Sequence, residues 1–432
     1  MQTVEELKRL QAQPLERKIV MTSQRIHQWV NHFGEDGVYI SFSGGKDSTV
    51  LLDIVRNVCG YKNIPAVFVD VPTQYPELKS FAETFDNLEI LKPKISFAKV
   101  CEDYGFPIIS KEVSGCVQGA RKYLTSVLQN EITLTDRQTD RQTVSGCWAF
   151  ADMYGIPRRM SAKKGEEYQL LKTGIIPSVI LDEIHRKAIE RGQHHLYHYE
   201  TDRIVGTIPK PTVRTQILFC VYPHKEKGVL TDENSSMYDK SRYKFFVDAP
   251  FEISDMCCKI MKKQPVHKYH SKTGRVPFTA QMADESRLRQ THWLKNGCNG
   301  FDMKIPLSNP MSFWTENDVL EYIVKTGIPI CSVYGNIVED YGEQLEGQIS
   351  LADYGLCEKK CKYKCTGCKR TGCVLCGYGA HLESKEESRF RKLKVSHPKF
   401  YGLLDLIKNN GVTFREAIEW TNEHLGKNKI WL

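Results

Sequence analysis

The chain has 432 residues, 41% of them hydrophobic and 26% charged, with a formal net charge of +8. That balance excludes a disordered or collagen-like chain, and no apolar run approaches the roughly 20 residues that a membrane-spanning helix needs. Fifteen cysteines are many for a chain whose opening residues, Met1, Gln2, Thr3, Val4, Glu5 and Glu6, lack the basic and apolar regions of a secretory signal. A cytoplasmic protein with no membrane partner is expected, and clustered cysteines there serve metal or redox chemistry rather than a disulfide framework. The positive charge suits an anionic ligand, a nucleotide or a nucleic acid, and equally suits a solvated surface.

Thr3 followed by Glu6 reads as a capping box opening a first helix. Leu15, Ile19, Ile26, Trp29, Val30 and Phe33 share one helical face and predict a helix over 15–33. The apolar run 38–42 reads as a buried strand and 49–55 as a helix; between them stand Ser43, Gly44, Gly45, Lys46, Asp47 and Ser48. Two glycines at a strand-to-helix turn let the backbone approach a ligand, and the N–H groups at a helix N-terminus favour an anion. With two hydroxyls and an ammonium added, the stretch reads as a phosphate cradle. It is not a Walker A loop, which needs four residues between its first glycine and its Gly-Lys-Ser/Thr.

Strands follow at 66–70 and 88–91, separated by a turn ending at Pro76 and Glu77 and by a helix through Leu78, Phe81 and Phe85; a short helix then runs to Tyr104. Strands alternating with helices predict a parallel sheet. Such sheets bind ligands at the C-terminal ends of their strands, which gathers the cradle, Asp70 and Glu77 around one crevice. Over 113–244 the pattern changes, with a tandem Asp-Arg-Gln-Thr at 136–143 and a helix expected over 180–191. The sheet pattern is expected to resume near Phe245, with Cys257 and Cys258 following and a fourth strand over 276–282 running into Asp284, Glu285, Ser286 and Arg287. Thr315 and Asp318 form a capping box, as do Thr413 and Glu416. The expected organisation is N-terminal helices (1–34), an α/β domain (35–112 and 245–335), an insertion (113–244) and a cysteine-rich region with C-terminal helices (336–432).

Cys357, Cys361, Cys365, Cys368, Cys373 and Cys376 crowd into twenty residues and include two Cys-x-x-Cys pairs. Thiolates at such spacing hold zinc or an iron–sulfur cluster. Interleaved Lys359, Lys360, Lys362, Lys364, Lys369 and Arg370 would lower thiol pKa values and offset thiolate charge. Arg389, Arg391, Lys392 and Lys394 offer a basic helix for a nucleic-acid backbone or a nucleotide 3′-phosphate, a solvated face being the plainer alternative.

The order Ser-Gly-Gly-Lys-Asp-Ser resembles the PP-loop of the ATP pyrophosphatase and sulfonucleotide reductase superfamily. Cys-Cys followed at a distance by Gly-Cys-x-x-Cys resembles the four-cysteine [4Fe–4S] pattern of adenylylsulfate reductases. The Pro76-Glu77 turn, Glu285-Ser286-Arg287 and the Pro-Met-Ser-x-Trp run ending at Trp314 look like the same phosphoadenosine phosphosulfate (PAPS) reductase-like family. The resemblance implies an α/β fold of HUP type, a doubly wound parallel sheet with a large insertion and a cysteine-rich helical C-terminal region. It implies an adenine nucleotide (ATP, or PAPS or adenylyl sulfate) bound with Mg²⁺ at Ser43, Gly44, Gly45, Lys46, Asp47, Ser48, Asp70, Glu285, Ser286 and Arg287, with Lys46, Asp47 and Glu77 in catalytic roles. Carried over by position, Cys257, Cys258, Cys373 and Cys376 are cluster ligands with Cys368 as a rival, and Cys357, Cys361, Cys365 and Cys368 would make a separate structural zinc site.

One departure matters. Sulfonucleotide reductases keep a catalytic cysteine in a C-terminal tail, and this chain has no cysteine after Cys376. It also resembles the PP-loop, iron–sulfur proteins of DNA phosphorothioation and tRNA thiolation. That likeness implies ATP-dependent activation of an acceptor oxygen, then sulfur transfer from a donor such as a cysteine desulfurase. The alternatives are sulfonucleotide reduction with a thiol reductant, using Cys298 or Cys365 as nucleophile, and a nucleotide- or nucleic-acid-binding regulator without turnover.

Overall fold

The computed structural model of the protein describes residues 2–129, 186–187, 190, 197–198, 203–204, 212–219, 240–340, 362–426 and 429–432. The tandem repeat at 136–143, Cys357 and Cys361 lie outside the described residues, as does the helix expected over 180–191 except at 186, 187 and 190. Among the described residues, no helix is long and apolar enough to cross a membrane. The chain forms two compact units, residues 1–97 with 257–375, and residues 98–256 with 376–432.

The first unit is built on six strands: β1 Val38–Phe42, β2 Ala66–Val69, β3 Leu88–Leu91, β4 Val276–Phe278, β5 Asn299–Gly300 and β6 Leu307–Ser308. Their order is β3-β2-β1-β4-β6-β5. All neighbours are parallel except β5, which runs antiparallel to β6. β1 reads as an apolar run interrupted only by Ser41 because both its faces are covered; Val38, Tyr39, Ile40 and Phe42 are buried and Ser41 is half-buried. This is the doubly wound α/β fold of HUP type that the sequence leads one to expect.

Seven helices of this unit matter here: α1 Val4–Gln11, α2 Leu15–Phe33, α3 Lys46–Asp53, α4 Pro76–Ala82, α5 Gln264–Thr273, α6 Arg287–Asn296 and α7 Glu316–Thr326. The α2 helix follows its expected bounds because its apolar stripe is continuous; Leu15, Ile26, Trp29 and Val30 join one core with residues of β1, α3 and α7. On the opposite face Tyr269 of α5 packs on Tyr39 and Val67. The sheet does not resume near Phe245. Residues Ser241–Val247 form a 3-10 turn within the second unit, and the next strand of the sheet is β4. Aromatic runs favour burial as such; here Phe246 is buried without joining a ladder.

The second unit joins helix Lys111–Gln129 to Val213–Leu218 and to the C-terminal helix Phe414–His424. Arg121 Nη2 donates to the carbonyls of Phe246 (2.6 Å) and Ala249 (2.7 Å). Phe106 stacks on Phe414 with ring centres 4.7 Å apart, so a helix grouped by sequence with the cysteine region shares a unit with residues 98–256. Ile108–Ile109 and Gly377–Tyr378 form a short parallel pair there.

The two capping boxes are present at Thr315/Asp318 and Thr413/Glu416. At the first, Asp318 Oδ2 also accepts from the Lys18 ammonium at 2.5 Å, and Lys18 is only 1% exposed. This buried pair fixes α7 against α2. Removing one partner of such a pair leaves the other charge uncompensated, at a cost of about 3–5 kcal/mol. Lys18→Ala is therefore expected to lower the urea unfolding midpoint sharply, by far more than Lys325→Ala, whose ion pairs are exposed; equal effects of the two substitutions would refute the assignment.

Candidate anion-binding site

In the sheet, β2 and β3 lie to one side of β1 and β4 to the other. The chain therefore leaves a crevice at the C-terminal end of β1, where open α/β sheets bind ligands. Residues 43–48 occupy that end and enter α3. Gly44 has φ +70°, and a Cβ there would lie 3.0 Å from the Leu78 carbonyl oxygen. A Cβ at Gly45 would meet Ser43 Oγ at 3.1 Å, Tyr334 Oη at 3.2 Å and Thr371 Oγ1 at 3.3 Å. Gly44 is required by its positive φ and the Leu78 backbone, while a side chain at Gly45 would press on three hydroxyls that line the loop.

The loop binds its own amides. Ser43 N–H donates to Ser48 Oγ (3.2 Å), Gly45 N–H to Ser43 Oγ (3.3 Å), and Lys46 N–H to Tyr334 Oη (3.2 Å). Ser48 Oγ in turn donates to the Gly45 carbonyl at 2.9 Å. These donors are the groups an anion would engage, and hydroxyl oxygens now stand where its oxygens would accept.

A cavity of about 310 Å³ opens over the loop. It is lined by three cations (Lys46, Arg289, Arg370), four carboxylates (Asp47, Asp284, Glu285, Glu316) and the hydroxyls of Ser43, Tyr334 and Thr371. Lys46 is 3% exposed; its ammonium meets Glu316 Oε1 at 3.1 Å, Asp47 Oδ1 at 3.7 Å and the Lys369 carbonyl at 3.2 Å. Burial opposes its charge, but Asp47 and Glu316 outweigh burial and hold its pKa above the ordinary lysine value. Burial raises the Asp47 carboxyl above its usual range, with Lys46 opposing. Asp47 Oδ1 is buried and makes no hydrogen bond. Burial, then the nearby Arg370 charge, lowers the Arg289 guanidinium.

Of the residues singled out in the sequence, Ser43, Gly45, Lys46, Asp47 and Glu285 line this cavity. Gly44 and Ser48 shape the loop beneath it. Ser286 caps α6 by accepting from Arg289 N–H, and Arg287 is exposed and outside the lining. Asp70, at the end of β2, pairs with Lys79 at 3.0 Å, and Glu77 is half-buried in the first turn of α4; neither lines the cavity. Arg289, Arg370, Tyr334 and Glu316 were not foreseen. Arg289 had one available signal: it stands one helical turn after Glu285, its ion-pair partner.

Among the described residues, no three His, Cys, Asp or Glu side chains form a group able to hold a metal ion. Cys257, Cys258, Cys365, Cys368 and Cys373 belong to the first unit and Cys376 to the second. Cys298 is buried and accepts from Ser312 Oγ at 3.2 Å, away from the cavity lining. In the C-terminal basic helix, Arg389 is engaged by Glu383 and the Cys376 carbonyl, and Arg391 by the Lys385 carbonyl.

A family model described as the phosphoadenosine phosphosulfate reductase domain matches residues 37–108 and 200–377. These segments make up more than half of the 432 residues, and the chain belongs to that family, which is enzymatic. The match spans β1 and the cradle as well as the cavity wall at 370–372, and passes over 109–199. A comparison with curated proteins returns no match.

Because its pKa is raised, Asp47 contributes to stability below the ordinary carboxylate value, and that contribution is lost as pH rises through the raised value. At neutral pH the charge is a burden. Asp47→Asn, which also takes a partner from the buried Lys46 ammonium, is expected to abolish that pH-dependent loss of stability, read as thermal unfolding from the acid range to pH 7; an unchanged pH profile would contradict the burial argument.

Proposed function

We propose that this protein binds an adenine nucleotide at residues 43–48 and activates an acceptor by ATP-dependent adenylation, releasing pyrophosphate, as the first half of a sulfur transfer. The observation that carries this reading is the mixed charge of the cavity, three cations interleaved with four carboxylates. Carboxylates repel a bare sulfonucleotide but suit a polyphosphate carrying a divalent cation. Mg²⁺ is commonly held by one or two carboxylates plus substrate phosphates, and the unbonded, buried Asp47 Oδ1 fits such a ligand. When bound, Mg²⁺ neutralises phosphate charge.

The chain's own groups then have separable tasks. The N–H groups of Ser43, Gly45 and Lys46 turn from their internal hydroxyl acceptors to phosphate oxygens. Lys46, with Arg289 and Arg370, stabilises the negative charge that develops on the departing pyrophosphate. Glu316, exchanged by Lys46 for phosphate, is left to accept a proton or a cation. A sulfur donor such as a cysteine desulfurase, a nucleic-acid acceptor and a cytoplasmic setting belong to this reading as partners of its chemistry. The [4Fe–4S] cluster at Cys257, Cys258, Cys373 and Cys376, and a zinc site at Cys357, Cys361, Cys365 and Cys368, rest on spacing and resemblance, and no step is drawn through either.

One observation favours a second reading, sulfonucleotide reduction. Cys365 is half-buried and within electrostatic reach of the cradle: burial holds its thiol pKa above the ordinary value, with Lys46 opposing and Glu316 and Asp47 adding to the rise. Its exposure makes it the more accessible of the two candidate thiols, since Cys298 is buried.

Anaerobic incubation with Mg-ATP is expected to yield pyrophosphate and AMP, and Lys46→Met to reduce the rate about 100-fold or more. No pyrophosphate from ATP, with sulfite formed from PAPS and a thiol reductant, would replace the first reading by the second. Binding of ATP without either product would leave a nucleotide-responsive regulator. Iron and zinc analysis of protein purified without oxygen tests the cysteines separately: four iron atoms per chain, lost in Cys373→Ser, are expected if the cluster forms, and their absence from the wild-type protein would remove it from the reading.

A further inference from the structure

Residues 259–275 carry six lysines and arginines and no aspartate or glutamate, yet none of them lines the anion cavity. A π-helical turn, Lys259–Lys263, leads into α5. Ile260, Met261 and Tyr269 are buried, and Val266 packs with Tyr269 against Tyr39 and Val67. Lys263, Gln264, His267, Lys268, Ser271 and Lys272 are exposed. The helix thus buries an apolar face on the sheet and turns a cationic one outward. Lys268 and Lys272 stand one helical turn apart, where like charges repel and weaken a helix. Arg275 is offset by Glu89 at 2.9 Å, but Lys263, Lys268 and Lys272 make no ion pair among the described residues.

The fold places this face with respect to the cradle. Only Gly274 and Arg275 separate α5 from β4, which runs parallel to β1. The helix therefore ends beside the N-terminal edge of the sheet, where Arg275 Nε donates to the Asp36 carbonyl at 3.1 Å. Its opening turns lie toward the C-terminal edge, the edge that carries the cradle. There Val266 shares a cluster with Leu91, the last residue of β3. Lys92 and Lys94, which leave β3 at that edge, are exposed and likewise make no ion pair among the described residues. Two segments distant in sequence thus bring unpaired lysines to one side of the sheet. Lys263 to Lys272 spans about 13 Å of helix, a length over which one strand of a duplex presents about four phosphates.

We infer that the outward face of residues 263–272, extended by Lys92 and Lys94, binds the phosphate backbone of double-stranded nucleic acid. The exposed face of α5 carries no aromatic side chain, so unpaired bases find nothing to stack on, and it offers a bilayer no apolar face. Lysines meet phosphates as point charges, and such contacts position a duplex without reading its sequence. DNA and RNA duplexes share this chemistry. The role of the bound duplex as an acceptor rests on the adenylation reading; the binding itself does not.

The test uses the full chain with a short DNA duplex and an RNA duplex of the same sequence, each followed by fluorescence anisotropy. Wild-type protein is expected to bind at least one of them, with affinity falling about tenfold or more between about 50 and 200 mM salt; the duplex held more tightly identifies the source. The triple variant Lys263→Gln, Lys268→Gln, Lys272→Gln changes only exposed side chains. It is expected to weaken binding about tenfold or more and to lower the slope of log affinity against log salt by about 0.9 per lysine. A charge-matched control, Lys392→Gln, Lys394→Gln, Lys399→Gln, alters exposed lysines of the C-terminal basic region and should keep affinity within about threefold. Equal losses in both variants, or a loss confined to the control, overturn the assignment. Wild-type protein that binds neither duplex, or binds only anionic vesicles, overturns it as well, while pyrophosphate release from Mg-ATP still upholds adenylation. Duplex binding without pyrophosphate release upholds the surface and removes its role in presenting an acceptor.

Discussion

A buried ammonium organises the site. Lys46 has almost no contact with solvent, and an isolated charge so placed would shed its proton. It stays charged because Glu316 and Asp47 flank it and the Lys369 carbonyl accepts from it. That requirement accounts for two of the four carboxylates in the cavity wall, and a third, Glu285, pairs with Arg289. It also sets positional demands elsewhere. Glu316 opens α7, and α7 is held by the Asp318 cap and its buried bond to Lys18, so a residue of the second helix acts at a distance on the charge balance of the cradle. Tyr322 of the same helix donates to Asp53 at 2.5 Å and ties α7 to the end of α3, the helix that carries Lys46.

The cradle is a closed set of hydrogen bonds before any ligand arrives. Its serines satisfy its own amides, and Tyr334 satisfies the first amide of α3. A buried N–H without an acceptor is costly, so each amide of a loop this tight needs an acceptor within the fold. Hydroxyls suit that purpose because a rotating O–H can accept from the amide and later donate to the incoming oxygen. Satisfaction of the loop amides thus comes from residues up to 288 positions away, and the cysteine-rich segment reaches the same loop through the Tyr334 hydroxyl's contact with Thr371.

Much was legible in the sequence where local rules act. The bounds of α2 follow from an apolar stripe, β1 to β3 from short apolar runs, and the caps at Thr315 and Thr413 from side chains that reach only three residues. The cradle could be read because glycines, serines and a lysine at a strand-to-helix turn have few other uses. Reading failed where contacts are distant. Arg370 and Thr371 sit in a cysteine-rich stretch whose composition pointed to metal, and nothing local says they face the loop more than 300 residues earlier. The sheet was expected to resume near Phe245, but Ser241–Val247 form a 3-10 turn and the next strand of the sheet begins at Val276.

The sequence by itself determined the parallel α/β class, the glycine- and serine-rich turn that enters a helix at Lys46 and the membership of its motifs in one family, since each depends on spacing within a few residues. Only the tertiary structure decided which charges share the cavity. It put Arg289 rather than Arg287 in the wall and kept Asp70 and Glu77 out of the lining. It also gave Lys46 its carboxylate partners. The physical reason is that charge pairing and burial depend on distance in space, and strand order, which no local pattern encodes, fixes those distances.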